Sequence, residues 1–258
     1  MQNFGLVLAG GGGNGAFEMG VWKAIKEIGE YNITAVSGSS VGALNAAFFA
    51  AGRYDEALYL WQNITDKDIK IPLKESEKSA HSNIRGGIWS SAGVERIIRT
   101  SGILDGFDIP CAVCCTIAPE KKSDMAKSLV TYTDKVRYFT LNNEPSARIV
   151  KILLASTAIV HGFPEQKIDG RFYRDGDNVG RGDCMPVKPL YDMGLRDFIV
   201  VHLDNHKKLR ISNEKELNII HIYPPHELDN PLTILDFSHE SNSKRLERGY
   251  MAAVEALF

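Results

Sequence analysis

One stretch limits the possible folds of this chain more than any other: Ala35-Val36-Ser37-Gly38-Ser39-Ser40-Val41-Gly42. Before it, Ile33 to Val36 reads as a buried strand; after it, Ala43 to Ala50 reads as a helix. Ser40 therefore stands at a strand-to-helix turn, centred in a Gly-x-Ser-x-Gly pentapeptide. Glycines two before and two after let neighbouring backbones approach, and a sharp bend there lifts the hydroxyl clear of the sheet. The helix N-terminus then points free N–H groups at the place where negative charge would develop on a reacting group. An ordinary Gly/Ser turn is the simpler reading of the five residues alone.

The preceding segment has a related form. Asn3 to Ala9 reads as a strand, Gly10-Gly11-Gly12-Gly13-Asn14-Gly15 as a glycine loop, and Ala16 to Gly29 as a helix with Phe17, Val21, Ala24, Ile25 and Ile28 at helical spacing. With the strand ending at Val36 this makes a βαβ unit, hence a parallel sheet covered by helices. The loop also fits the dinucleotide fingerprint, as Gly10-x-Gly12-x-x-Gly15. That fingerprint calls for an acidic residue at the end of the second strand, to hold a ribose hydroxyl. The second strand ends instead in Ser37-Gly38-Ser39-Ser40, and Glu27 and Glu30 come too early. The alternative is that the loop's backbone N–H groups form an anion-stabilising concavity beside Ser40, because parallel strands of one unit deliver their following loops to the same sheet edge.

Strands and helices keep alternating. Helices are expected at Arg53 to Ile64, Val94 to Ser101, Ser146 to Ser156 and Asn242 to Phe258, and strands at Ala112 to Ile117, Phe198 to Leu203 and Leu217 to Ile222, with a strand and turn region at Leu129 to Leu141. Thr65 to Arg85 is polar and weakly periodic, an exposed excursion or lid, more simply a solvated loop. Cys111, Cys114 and Cys115 fall within an apolar run, where free cysteine packs as a small hydrophobe. Phe48, Phe49 and Trp61 read first as core and second as the lining of an apolar channel. No linker or repeat interrupts the pattern, so residues 1–258 are expected to form one α/β domain.

Near Asp169-Gly170, two short alternating runs spell a two-residue hairpin. Asp175-Gly176 follows the return strand, Arg171 to Arg174. A carboxylate at a strand end beside a glycine can approach another loop closely, which suits a base; the alternative is a second turn residue. A serine hydroxyl needs such a base to accept its proton. Of the histidines, His161 stands shortly before the hairpin, whereas His202 and His221 are embedded in apolar strands. Only one strand precedes the one carrying Ser40, which argues against the usual serine–histidine arrangement and for a carboxylate acting alone.

Leu8 to Ala16, Gly38-Ser39-Ser40-Val41-Gly42, Ala155-Ser156-Thr157-Ala158 leading to Phe163-Pro164, and Tyr173-Arg174-Asp175-Gly176 resemble, in order, the blocks of patatin-like phospholipases. Leu235-Asp236-Phe237-Ser238 and Arg248-Gly249-Tyr250 look like bacterial members. The resemblance implies a three-layer α/β/α sandwich with a mainly parallel central sheet. It also implies a Ser-Asp dyad acyl hydrolase with Ser40 as nucleophile, Asp175 as base and the backbone N–H groups of Gly10, Gly11 and Gly12 as the oxyanion hole, without metal or other cofactor. The implied substrate is a lipid acyl ester, a phospholipid or lysophospholipid. The other readings are a non-lipid carboxylesterase, a catalytically silent lipid-binding protein and a nucleotide-binding module. Two positions depart from the family pattern. Asn14 stands where the loop usually carries a basic residue, and Asp177 follows Asp175-Gly176 where a small residue is usual; Asp177 is expected to face away from the site.

With a formal net charge of −2 and scattered Lys and Arg, the chain has no footprint for nucleic acid. No export signal is visible and no apolar run reaches transmembrane length, so a cytoplasmic location is expected, with any membrane contact peripheral.

Overall fold

The computed structural model describes residues 2–73, 86–119, 135–178, 181–212, 214–226 and 234–258. Strand β1 (Asn3–Leu8) leads through a single 3-10 turn (Gly12–Gly15) into helix α1 (Ala16–Ile28), followed by β2 (Asn32–Ser39) and α2 (Val41–Ala50). Helices α3 (Tyr54–Asn63), α4 (Asp66–Ile69) and α5 (Ala92–Thr100) precede β3 (Cys111–Ile117) and β4 (Val136–Thr140). Then come α6 (Ser146–Ser156), the hairpin β5 (Gln166–Ile168) and β6 (Arg171–Arg174), α7 (Val187–Asp192), β7 (Asp197–Val201), β8 (Asn218–Ile222) and α8 (His239–Leu257).

The sheet runs β5-β6-β3-β2-β1-β7-β8, with β4 also paired to β3. Strands β3, β2, β1, β7 and β8 are parallel; β4 and β6 pair with β3 antiparallel. Helices flank this sheet, giving the expected α/β/α layering around a mostly parallel core. Strands β1, β3 and β7 are almost wholly buried, which is why they read as continuous apolar runs without alternation. The four cysteines are buried and unbridged within that core.

Local signals account for most boundaries. Helix α1 stops at Gly29, which takes a left-handed φ of 70° and returns its N–H to the Ile25 carbonyl. Asp169 and Gly170 both take positive φ, 48° and 82°, as a two-residue hairpin turn requires. The Asp169 carboxylate also receives both ends of the Arg148 guanidinium, at 2.5 and 2.7 Å. Within the expected polar excursion, Thr65 and Asp68 form a reciprocal capping box that opens the short helix α4; residues 74–85 lie outside the described set. Of the expected Leu129 to Leu141 region, Val136–Thr140 is strand and 129–134 are likewise not described.

The last helix closes on the first. An added Cβ at Gly20 of α1 would strike the Leu246 carbonyl, and one at Gly249 of α8 would strike the Phe17 carbonyl, so the two backbones touch where these glycines meet. Gly20→Ala should therefore destabilise the fold by about 1–3 kcal/mol through overpacking against main chain that has little room to shift. Urea unfolding followed by circular dichroism measures this; an unchanged midpoint would show that the helix pair does not depend on the close approach.

Candidate active site

Ser40 has φ 54° and ψ −125°, a conformation that costs a non-glycine residue on the order of 1–3 kcal/mol. Packing holds it there. A Cβ on Gly38 would collide with the Gly42 carbonyl, and a Cβ on Gly42 with the carbonyls of Leu8 and Ala9. The backbones of β1, the turn and α2 are thus stacked without side chains between them. The bend is further pinned by Ser156, whose Oγ accepts from the Ser40 N–H at 2.9 Å and donates to the Cys114 carbonyl at 2.7 Å.

Strand register brings Asp175 to Ser40. Ser39 pairs with Cys114, and Arg174 pairs antiparallel with Thr116. The chain leaving β6 therefore walks back along β3, and an added Cβ at Gly176 would meet the Cys114 carbonyl and Ser39 Oγ. Asp175 is clamped on the way: its N–H donates to Ala158 O at 3.0 Å, and its carbonyl accepts from Thr116 Oγ1 at 2.9 Å. Its Oδ1 accepts the N–H groups of Asp177 and Asn178, both at 3.0 Å. The carboxyl is 4% exposed, and burial, with the nearby Asp177 charge, raises its pKa to about 6 against the lowering effect of a hydrogen bond from Ser40.

Ser40, Asp175, Asp177, Gly10, Gly11 and Gly12 line one cavity of about 290 Å³, together with Asp204 and Lys207. Asp177 thus faces the site, contrary to the sequence expectation. The reason is Lys207, whose ammonium pairs with Asp177 Oδ2 at 2.8 Å across 30 residues of chain and gives the second carboxylate a half-buried partner. The glycine loop also differs in part. Gly10 N–H is committed to the Cys184 carbonyl at 3.1 Å, whereas no partner for the N–H groups of Gly11 and Gly12 is found among the described residues. His161 lies in an exposed turn with φ 65° and is not among the cavity's lining residues. His202 and His221 form a tilted pair at the ends of β7 and β8, 2.8 Å between ring nitrogens. Three carboxylates against one lysine make this cavity a poor seat for a pyrophosphate, which weighs against the nucleotide reading.

Comparison with known proteins gives the family and the fold. Residues 6–191 match the patatin-like phospholipase family. The chain belongs to that family. Among curated proteins, uncharacterized NTE family proteins of Mycobacterium bovis and Mycobacterium tuberculosis are each 30% identical over 200 residues, covering 77% of this chain and 48% of theirs. The chain thus spans about half the length of the curated relatives it matches. The crystal structure of VipD from Legionella pneumophila shares the fold, at a TM-score of 0.50 and 14% identity over 98% of this chain and 66% of that one.

For a patatin-like chain, the loop is braced from an unexpected quarter. Asn14 brings no charge, but Arg245 of α8, 2% exposed, donates from Nη1 to the Gly13 carbonyl at 3.2 Å and to the Asp236 carbonyl at 2.7 Å. Sequence reading missed Arg245 and Lys207 because neither sits in a local pattern; Ser156 lay inside a recognised block without an assigned role. Beneath the loop, Glu18 of α1 is fully buried, its Oε2 accepting from Asn45 Nδ2 at 2.7 Å, while Asn45 Oδ1 accepts from the Trp61 indole at 2.9 Å. Among the described residues, no three His, Cys, Asp or Glu side chains are grouped to hold a metal ion. No described helix is long and apolar enough to cross a membrane.

Burial pushes the Glu18 carboxyl well above its ordinary value of 4.5, against opposing hydrogen bonds from Asn45 and Ala9. A folded pKa above the unfolded one gives stability that is fully present below the unfolded value and lost as pH rises towards the folded one. Relative to Glu18→Gln, the native protein should therefore lose stability as pH is raised above about 4.5. Urea titrations of both proteins at pH 4 and pH 7 measure the difference; parallel pH dependence would mean that the carboxyl ionises in the fold as freely as in the unfolded chain.

Proposed function

We propose that this protein hydrolyses carboxylic esters of lipids, phospholipid or lysophospholipid, through Ser40 and Asp175. The observation that carries the reading is the shared cavity. A strained serine lining it adjoins a buried carboxyl whose pKa of about 6 suits a base at neutral pH, beside two uncommitted backbone donors. In the first step Asp175 takes the Ser40 proton as Oγ bonds to the acyl carbon. The resulting oxyanion accepts hydrogen bonds from Gly11 and Gly12, each well-placed donor being worth on the order of 3 kcal/mol in related chemistry. Collapse breaks the bond to the alcohol, which leaves with the proton from Asp175, and water then cleaves the acyl-enzyme by the same route in reverse. Lipid is favoured over a polar ester by a second, apolar cavity of about 60 Å³ that also opens on Ser40 and Gly12, walled by residues such as Leu44, Trp61, Ile97 and Phe237.

An alkyl fluorophosphonate should label Ser40, as read by peptide mass spectrometry, and Ser40→Ala should abolish both labelling and ester turnover. Asp175→Asn should lower kcat/KM by about 10²–10⁴-fold; near-native turnover by a folded Asp175→Asn protein would end the dyad assignment.

The pH profile tests the electrostatics separately. Turnover needs Asp175 ionised, so kcat/KM should fall as pH drops through about 6. Asp177→Asn removes a like charge and should move that limb to lower pH, while Lys207→Met leaves Asp177 unneutralised and should move it higher. Profiles that coincide for all three proteins would exclude Asp177 from setting the base.

A further inference from the structure

A hollow larger than the cavity at Ser40 and Asp175 has no part in that reaction. It is a groove of about 550 Å³ between α3 and α5, with Phe48 among its walls and charged residues, including the Asp68–Arg96 pair at 2.8 Å, also lining it. The apolar cavity at Ser40 holds only about 60 Å³, the space of roughly two water molecules, far below the several hundred Å³ that ligands of ordinary size occupy. A long acyl chain with its carbonyl at Ser40 cannot be housed there.

Three side chains belong to both spaces: Leu60 of α3, Ile64 just beyond it and Ile97 of α5. Leu60, partly buried, and the buried Ile64 and Ile97 thus form an apolar partition between the two spaces. We infer that the groove between α3 and α5 is the distal acyl site of this enzyme, entered from Ser40 past the Leu60–Ile64–Ile97 partition, and that its occupant is the tail of a long-chain acyl ester. The apolar partition favours methylene over water on both of its sides. Short acyl groups are held by the Ser40 cavity alone and do not need the passage. The inference rests on the serine hydrolase reading and adds the chain-length class and the path.

The test is a series of 4-nitrophenyl esters from butanoyl to hexadecanoyl, run on the full chain and two variants of opposite effect. Leu60→Trp narrows the partition and should lower the hexadecanoyl-to-butanoyl ratio of kcat/KM at least tenfold. Leu60→Ala widens it and should hold or raise that ratio. A ratio unchanged in both variants, or falling in both, would overturn the acyl route while butanoyl turnover still upholds the hydrolase. Absence of turnover for every ester, together with no fluorophosphonate adduct on Ser40, would instead overturn the hydrolase reading and the acyl site with it.

Discussion

Ser40 can occupy φ 54° because three backbones are allowed to touch. Gly38 presses on the turn that follows it, Gly42 presses on the end of β1, and Ser156 ties the Ser40 N–H to the β3 carbonyl beside it. Remove the glycines' bareness and the strain of the turn would be relieved by moving the hydroxyl away from Asp175. Main-chain proximity, more than any charged contact, is what the site is built on. Its partners arrive through sheet register, since β6 pairs with β3 so that the chain beyond Arg174 must pass alongside the end of β2.

Electrostatics are layered over that scaffold. Asp175 is raised by burial and by Asp177, and Asp177 is itself held by Lys207. The proton affinity of Asp175 therefore depends on a pair joined across 30 residues of chain. Glu18 shows the same economy without a counter-charge: hydrogen bonds from Asn45 hold a buried carboxyl beneath the loop. Glu18 and Asp175 are oriented by neutral donors, Asp177 by a cation.

What could be read from the sequence was whatever short-range chemistry writes down. The elbow at Ser40, the hairpin at Asp169-Gly170 and the strand-end carboxylate at Asp175 each depend on neighbours within a few residues. The parallel sheet follows from uninterrupted apolar runs such as Phe198 to Val201. Gly10 was misjudged because its N–H is taken by Cys184, a residue distant in sequence, and Asp177 because its orientation is set by Lys207. Arg245 carried no pattern at all; a single arginine on a polar helix becomes a buried brace only when α8 docks. Phe48 and Trp61 are core residues, with Phe49 packed against that core, and each of the two also walls a cavity.

Arg245 also sets an order in time. The glycine loop, Ser40 and Asp175 all lie within the segment shared with the patatin-like family, residues 6–191, whereas the guanidinium that holds Gly13 belongs to a helix spanning His239–Leu257. A ribosome delivers the loop well before its brace, at roughly 5–20 residues per second. Over the seventy residues that separate Asp175 from Arg245, the nascent chain carries Ser40 and Asp175 yet lacks the contact that fixes the loop. The loop therefore gains this brace only once α8 has packed against α1, so its final shape is a product of tertiary docking and not of its own glycines.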